Sequence, residues 1–264
     1  MTDDLAFLGD LARRAGAAIL EVYAGDFAVE EKPDHSPLTM ADTRSHTSIV
    51  EALQERFPHI PVLSEEGKDV PFAVRRSWPL FWLVDPLDGT KEFVKRNGEF
   101  TVNIALVEGD QPVLGLIYIP VTDRLYVADT RQGCWEIAED RERALRIEEP
   151  AAGLPVRVVT SRSHPSPDLN RMLALLPHPQ TIIKGSAAKF CAVAAGEADF
   201  YPRLGPTWEW DTAAGQAIVT AAGGVMLDPQ GNVFRYNKTE LVNGPFFVAP
   251  SRDWLDRAGL LPGE

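Results

Sequence analysis

The run Phe81-Trp82-Leu83-Val84-Asp85-Pro86-Leu87-Asp88-Gly89-Thr90 carries apolar side chains into two carboxylates three positions apart, with a glycine and a hydroxyl behind them. It reads as a buried strand that delivers polar groups at its C-terminal end. Pro86 fixes its own φ and Gly89 permits conformations that other residues resist, so the chain can double back with both carboxylates on one side. Paired oxygen ligands suit a hard cation such as Mg²⁺, the more so if a backbone carbonyl between them joins in. Asp, Pro and Gly are also the ordinary material of solvated turns, and the ten residues alone leave both readings open.

Three further acidic points stand at element boundaries. Asp42 precedes an apolar-periodic stretch and could be its N-cap. Glu65, in Ser64-Glu65-Glu66-Gly67, ends the short apolar run Ile60-Pro61-Val62-Leu63. Asp211, in Glu209-Trp210-Asp211-Thr212-Ala213-Ala214-Gly215, opens a small-residue helix and could equally cap it. A second set of residues seeks anions. Thr160-Ser161-Arg162-Ser163-His164 follows a strand, and Lys184-Gly185-Ser186-Ala187-Ala188-Lys189 joins a strand to a helix, where free N–H groups and the positive helix end would face a phosphate. Tyr201-Pro202-Arg203 ends another strand. Ser186 could be a plain cap, and Lys189 and Arg203 plain surface charge.

The elements that must position these groups follow from periodicity. Leu5, Leu8, Ala12, Ala15, Ile19 and Val22 recur at helical spacing from Leu5 to Tyr23, and Gly25 ends that helix. A second helix starts near Asp42, with Ile49, Val50, Leu53 and Phe57 inward, and closes at Pro58. Lys68 to Pro79, with Arg75, Arg76 and two prolines, reads as an exposed, mobile loop. Thr101–Val107, Val113–Ile119 and Arg124–Ala128 read as an antiparallel meander. The charged, then Gly/Pro-punctuated segment Ala138–Pro155 is the best boundary between two lobes, 1–153 and 154–264. Beyond it strand-like and helix-like stretches alternate: Val156–Thr160, Asp168–Leu176, Thr181–Lys184, Ser186–Ala195, Asp199–Tyr201, Asp211–Ala222 and Val225–Asp228. That alternation predicts α/β layering.

Composition limits the partners. The 264 residues are 45% hydrophobic, enough for a sizeable core, and Cys134 and Cys191 lie too far apart in sequence to suggest a disulfide framework or a zinc site. A formal charge of −12, from 38 acidic and 26 basic residues, argues against broad nucleic-acid binding. Local Lys and Arg can still hold a small anion. No apolar run approaches a membrane span and the acidic N-terminus lacks a leader pattern, so a cytoplasmic location with no transmembrane segment is expected.

Ser64-Glu65-Glu66, Asp85-Pro86-Leu87-Asp88-Gly89-Thr90 and Trp210-Asp211-Thr212-Ala213-Ala214-Gly215 together resemble the signature segments of the inositol monophosphatase superfamily of Mg²⁺-dependent, lithium-sensitive phosphatases. Lys91-Glu92-Phe93, Ser161-Arg162-Ser163-His164, Lys189-Phe190-Cys191 and Tyr201-Pro202-Arg203 point to its bacterial 3′(2′),5′-bisphosphate nucleotidases of the CysQ type. The resemblance covers the chain to about Asp228 and implies an α+β fold, a layered αβαβα sandwich in two lobes like that of inositol monophosphatase and fructose-1,6-bisphosphatase. It implies two or three Mg²⁺ per active site, one held by Glu65, Asp85 and the Leu87 carbonyl and a second by Asp85, Asp88 and Asp211. By the same resemblance Glu65 and Thr90 activate the water, and Asp42 orients Thr90. The substrate contacts it implies are Glu65, Leu87, Asp88, Gly89, Thr90, Ser163, His164, Gly185, Ser186, Lys189, Arg203 and Asp211. The implied reaction removes the 3′-phosphate of adenosine 3′,5′-bisphosphate in sulfur assimilation, with 3′-phosphoadenylyl sulfate as a second substrate. Peripheral attachment to the cytoplasmic face of the inner membrane is known among such relatives, and oligomeric state, monomer or homodimer, stays open. The alternatives are an inositol-1-phosphate or fructose-1,6-bisphosphate phosphatase on the same fold, and a non-catalytic nucleotide-binding regulator.

Overall fold

The computed structural model describes residues 3–31, 37–139, 141–161 and 167–262. The apolar stripe of Leu5, Leu8, Ala12, Ala15 and Ile19 is the buried face of α1 (Asp3–Ala24), and Gly25 ends it by donating to the Val22 carbonyl. A hairpin of β1 (Val29–Glu31) and β2 (Pro37–Thr39) leads into α2 (Met40–Arg56), which packs beside α1. The chain then builds β3 (Val62–Ser64), the short α3 (Phe72–Arg75), β4 (Leu80–Asp88) and α4 (Thr90–Val94). A meander follows: β5 (Thr101–Glu108), β6 (Gln111–Ile119), β7 (Arg124–Asp129), β8 (Gly133–Ala138) and β9 (Arg141–Leu145). These strands make one seven-stranded sheet in the order β3-β4-β5-β6-β7-β8-β9, with only β3 and β4 parallel.

Both faces of that sheet are covered, which is why β4 reads as a continuous apolar run. Successive side chains point to opposite faces. Trp82 and Val84 enter the core beneath α1 and α2, whereas Phe81 and Leu83 enter the core on the other side.

That other side belongs to the second half of the chain. It contains β10 (Arg157–Thr160), α5 (Pro167–Leu173), β11 (Gln180–Ile183), α6 (Ala188–Ala194), β12 (Tyr201–Arg203) and β13 (Thr207–Trp208). After these come α7 (Glu209–Ala221), β14 (Val225–Leu227), β15 (Val242–Asn243), β16 (Phe246–Ala249) and α8 (Arg252–Arg257). Helix α7 lies on β5 and β6, while β10 pairs parallel with β11 and β16 sits between β12 and β14. A third core gathers Val158, Phe200, Leu227 and Phe247 with Met172 of α5 and Trp254 of α8. Helices and strands therefore alternate in five layers, as the αβαβα expectation requires.

Several sequence expectations shift. The charged segment after Ala138 is not featureless, because Arg141–Leu145 pairs with β8 and extends the meander. Lys68–Pro79 is not simply an exposed loop: it holds α3, and Arg75 is 2% exposed. The helix expected from Ser186 begins at Ala188, since Ser186 has φ 44 and cannot continue a right-handed turn. Strand β16, beyond the reach of the motifs, is buried throughout. Among the described residues no helix is long and apolar enough to cross a membrane.

Candidate active site

In an unbroken strand Asp85 and Asp88, three apart, would face opposite sides. The β4–β5 register shifts between them: Asp85 is opposite Asn103 and Asp88 is opposite Thr101. Asn103 and Thr101 share a face, so the extra residue in β4 brings both carboxylates to the same side. Pro86 and Leu87 make this bulge. The Pro86 carbonyl accepts from Ser45 Oγ of α2 at 2.7 Å, and the Leu87 N–H donates to Asp85 Oδ1 at 3.1 Å. Asn103 Nδ2 reaches Asp88 Oδ2 at 3.5 Å, and Thr101 Oγ1 donates to Asn103 Oδ1 at 2.9 Å.

The other carboxylates converge on this bulge. Glu65 follows β3, and its N–H donates to the Val84 carbonyl of β4 at 3.1 Å. Its charge is close enough to Asp85 to raise that carboxyl. Asp211 is the third residue of α7, and there it accepts the Trp208 N–H at 2.8 Å. Asp42 has two roles. Oδ2 closes a capping box with the Thr39 N–H and hydroxyl, at 2.8 and 2.7 Å, while Oδ1 accepts from Thr90 Oγ1 at 3.1 Å.

The electrostatics show what this crowding costs. Burial, then the charges of Glu65, Asp88 and Asp211, push Asp85 well above the usual carboxylate range. Burial, then Asp88, raises Asp211 in the same way, against the Trp208 N–H bond. Asp88 is pushed up to about 6 by burial, with the Lys189 cation opposing and Glu65 adding to the rise. Lys189 itself is brought down to about 8 by burial, against the pull of Asp88. Carboxylates that repel one another in a buried place are a site short of positive charge.

A hard divalent cation would relieve that repulsion, and the donor set of carboxylate oxygens with the Leu87 carbonyl has the chemistry for it. Among the described residues no three His, Cys, Asp or Glu side chains already stand as a finished ligand set. The fit therefore rests on donor type and charge.

Beside the carboxylates lies a cavity of about 130 Å³ lined by Asp88, Asp211, Lys91, Lys189, Arg203 and Ser186, among others. Gly89 has φ 92, and a Cβ there would stand 3.1 Å from the Glu99 carbonyl and 3.2 Å from Ser186 Cβ, so β4 and the segment before α6 abut closely. Gly185 is buried beside Glu99. Ser186 is no cap: its backbone is left-handed and its buried Oγ has no hydrogen-bond partner among the described residues. Lys189 Nζ donates to the Ser186 carbonyl. Ser163 and His164 lie outside the described residues. The motifs did not single out Lys91 as a pocket residue, although it directly follows Thr90 and its exposed amine lines the cavity.

Residues 2–257 match the inositol monophosphatase family. The chain belongs to the inositol monophosphatase family. Within the family it is 48% identical over 239 residues to the 3′(2′),5′-bisphosphate nucleotidase CysQ of Salmonella typhimurium, covering 90% of this chain and 95% of that one. It is 46% identical over 240 residues to the corresponding protein of Escherichia coli K12, with the same coverage. The crystal structure of CysQ from Bacteroides thetaiotaomicron, a bacterial family member, superimposes with a TM-score of 0.80 at 42% identity, over 93% of this chain and 96% of that one. The Thermotoga maritima IMPase, 24% identical with a TM-score of 0.81 over 98% and 96% of the two chains, shares the fold.

Proposed function

We propose that this family member hydrolyses the 3′-phosphate of adenosine 3′,5′-bisphosphate to AMP and phosphate, in the cytoplasm and in the service of sulfur assimilation. The 3′-phosphate of 3′-phosphoadenylyl sulfate is a second substrate of the same chemistry. The observation that carries this reading is the cavity that Asp88 and Asp211 line together with Lys91, Lys189 and Arg203. Its lining combines the carboxylates that a metal-assisted phosphatase needs with more cations than a single phosphate requires. The nucleotidase relatives, at up to 48% identity, support the nucleotide over a sugar phosphate.

Glu65, Asp85, the Leu87 carbonyl, Asp88 and Asp211 are the residues that would hold Mg²⁺, two or three ions in all. Bound there, it supplies water of lowered pKa and neutralises charge on the phosphoryl oxygens. The protein's own part begins with Asp42. By accepting the Thr90 hydrogen, Asp42 Oδ1 leaves the lone pairs of Thr90 Oγ1 to accept from the attacking water. Glu65 takes the proton. Residues 1–153 thus supply the water-activating groups and most metal ligands. Residues 154–264 supply Asp211 and the contacts to the second phosphate, with Ser186, Lys189 and Arg203 foremost.

Phosphate release with Mg²⁺, with and without lithium, is to be compared on adenosine 3′,5′-bisphosphate, inositol-1-phosphate and fructose-1,6-bisphosphate at matched concentrations. A lithium-sensitive preference for the nucleotide is expected. A preference for a sugar phosphate would overturn the assignment of the cations, and nucleotide binding without release from any substrate would make the chain a regulator.

A further inference from the structure

Among the described residues the buried cation of α3, Arg75, is paired with no carboxylate. Arg75 donates to three neutral oxygens: Nε to the Val70 carbonyl at 3.3 Å, Nη1 to Asn237 Oδ1 at 2.9 Å, and Nη2 to the Thr239 carbonyl at 2.8 Å. The contact with Asn237 is reciprocal, since Asn237 Nδ2 donates to the Arg75 carbonyl at 2.8 Å. A buried charge is costly unless its hydrogen bonds are made, and these bonds tie two distant pieces of backbone together.

The segment so held grips the head of α7 from its other side. Glu209, the first residue of α7, is 0% exposed. It accepts the Asn237 N–H at 2.7 Å, the Lys238 N–H at 3.0 Å and Lys238 Nζ at 2.6 Å. Lys238 Nζ also reaches Asn243 Oδ1 at 2.8 Å. Asn243 Nδ2 in turn donates to the Trp208 carbonyl at 3.0 Å and to Thr212 Oγ1 at 2.9 Å. Asp211 therefore stands within a short helix start whose neighbours on both sides are fixed. Asn237 has φ 59, a left-handed conformation that Asn tolerates better than most residues, so the turn presents its N–H to Glu209 and its side chain to Arg75 at once. At the opposite end, Val70 lies five residues beyond Glu65 on the segment that leaves β3.

We propose that Arg75 and Asn237 are positioning residues for the metal site: they lock the segment after Glu65 to the turn that seats Asp211, and so hold the two ligands from separate parts of the chain in register. The inference rests on the reading of Glu65 and Asp211 as metal ligands. Neither Arg75 nor Asn237 lines the cavity beside Asp211, so they act through Glu209 and the backbone. Residues that support metal ligands from outside typically cost about 10- to 100-fold in metal affinity when mutated.

The test is a Mg²⁺ titration of the full chain, followed both by turnover and by intrinsic fluorescence. The stacked Trp208–Trp210 pair, ring centroids 5.2 Å apart, flanks Asp211 and reports on the helix head without catalysis. Asn237→Gly keeps the left-handed turn and removes only the side-chain bonds, and Arg75→Met removes the cation. Arg157→Met, which breaks the Arg157–Asp199 pair remote from the site, serves as a control for lost stability. In Asn237→Gly the half-saturating Mg²⁺ concentration is expected to rise ~10-fold by both readouts, with turnover at saturating Mg²⁺ within ~3-fold of the parent. Arg157→Met should lose thermal stability and leave half-saturation unmoved. Should Arg75→Met not fold, Asn237→Gly carries the test alone. If Asn237→Gly loses stability as Arg157→Met does but moves half-saturation by less than ~3-fold, the positioning role is overturned while the metal reading stands. If the parent chain itself shows no Mg²⁺ response in either readout, the metal reading falls and this inference with it.

Discussion

Asp42 divides its two oxygens between structure and chemistry, and the division can be measured. Oδ2 closes the box that starts α2, whereas Oδ1 serves Thr90. Asp42→Ala is expected to lower the unfolding free energy by about 1–2 kcal/mol, through the lost cap and the buried donors left behind, and to abolish efficient turnover. Thr90→Ala leaves the cap in place, deletes the bond to Asp42 together with a longer 3.4 Å contact to the Leu87 carbonyl, and should lower turnover by at least ~100-fold while leaving stability within about 0.5 kcal/mol of the parent. Urea denaturation beside phosphate release separates the two. Equal stability losses in both variants would show that the Thr90 contact is structural. The sequence offered Asp42 as the N-cap, because an Asp near a helix start is a local pattern, but the helix begins two residues earlier: Thr39 is the N-cap and Asp42, the third helical residue, closes the box back onto it. The Thr90 contact spans 48 positions and came only from the family resemblance.

At the scale of elements, α7 is held flush against the large sheet. A Cβ on Gly115 of β6 would stand 2.5 Å from the Ala214 carbonyl and 2.7 Å from Ala217 Cβ, so no side chain fits there without moving the helix. Because Asp211 is the third residue of α7, Gly115→Ala should destabilise by about 1–3 kcal/mol and also weaken Mg²⁺-dependent turnover. Circular-dichroism melts and a metal titration check this, and a stability loss with unchanged metal response would mean that the helix tilts without carrying Asp211 along. Elements of this sort were legible when their pattern was local: α1 from its apolar stripe, β4 from its unbroken apolar run, the small-residue α7 from its composition. The bulge between Asp85 and Asp88 was suggested by Pro86 and Gly89, but the register that makes it real belongs to the pairing with β5. Arg75 was misread because burial of a lone Arg is decided by Asn237 and Thr239, more than 160 positions away. The same holds for β9, whose exposed, charged residues look like linker until their partner β8 is in place.

At the scale of the whole molecule, one charge network ties the meander to the second half of the chain. Arg124 of β7 pairs with Glu136 of β8 at 2.5 Å and with Glu197 at 2.7 Å, and Lys184 joins Glu197 at 3.0 Å. Glu136, 7% exposed, also accepts from Arg143 and Tyr126. Burial alone would raise the Glu136 carboxyl, but bonds from Arg143 and Arg124 outweigh it and hold the group below its ordinary 4.5. Glu197 is likewise held low, burial being outweighed by its bonds to Arg124 and Lys184. A carboxylate depressed in the folded state contributes stability above its unfolded pKa and loses it as pH falls through the folded value. Glu136→Gln should therefore be less stable than the parent by about 1–3 kcal/mol at pH 7, and the difference should shrink as the pH falls below 4.5. Parallel stability curves down to low pH would contradict this. The same corner of the molecule has another consequence. Strand β9 ends the sheet order, and an unpaired sheet edge is a template on which another chain can add a strand. Its exposed Arg141, Glu142 and Arg143 place charge along that edge, so a neighbouring copy would have to bury charged side chains to pair there. The edge that looks like spare linker in the sequence thereby carries the charge that disfavours strand addition by a second copy.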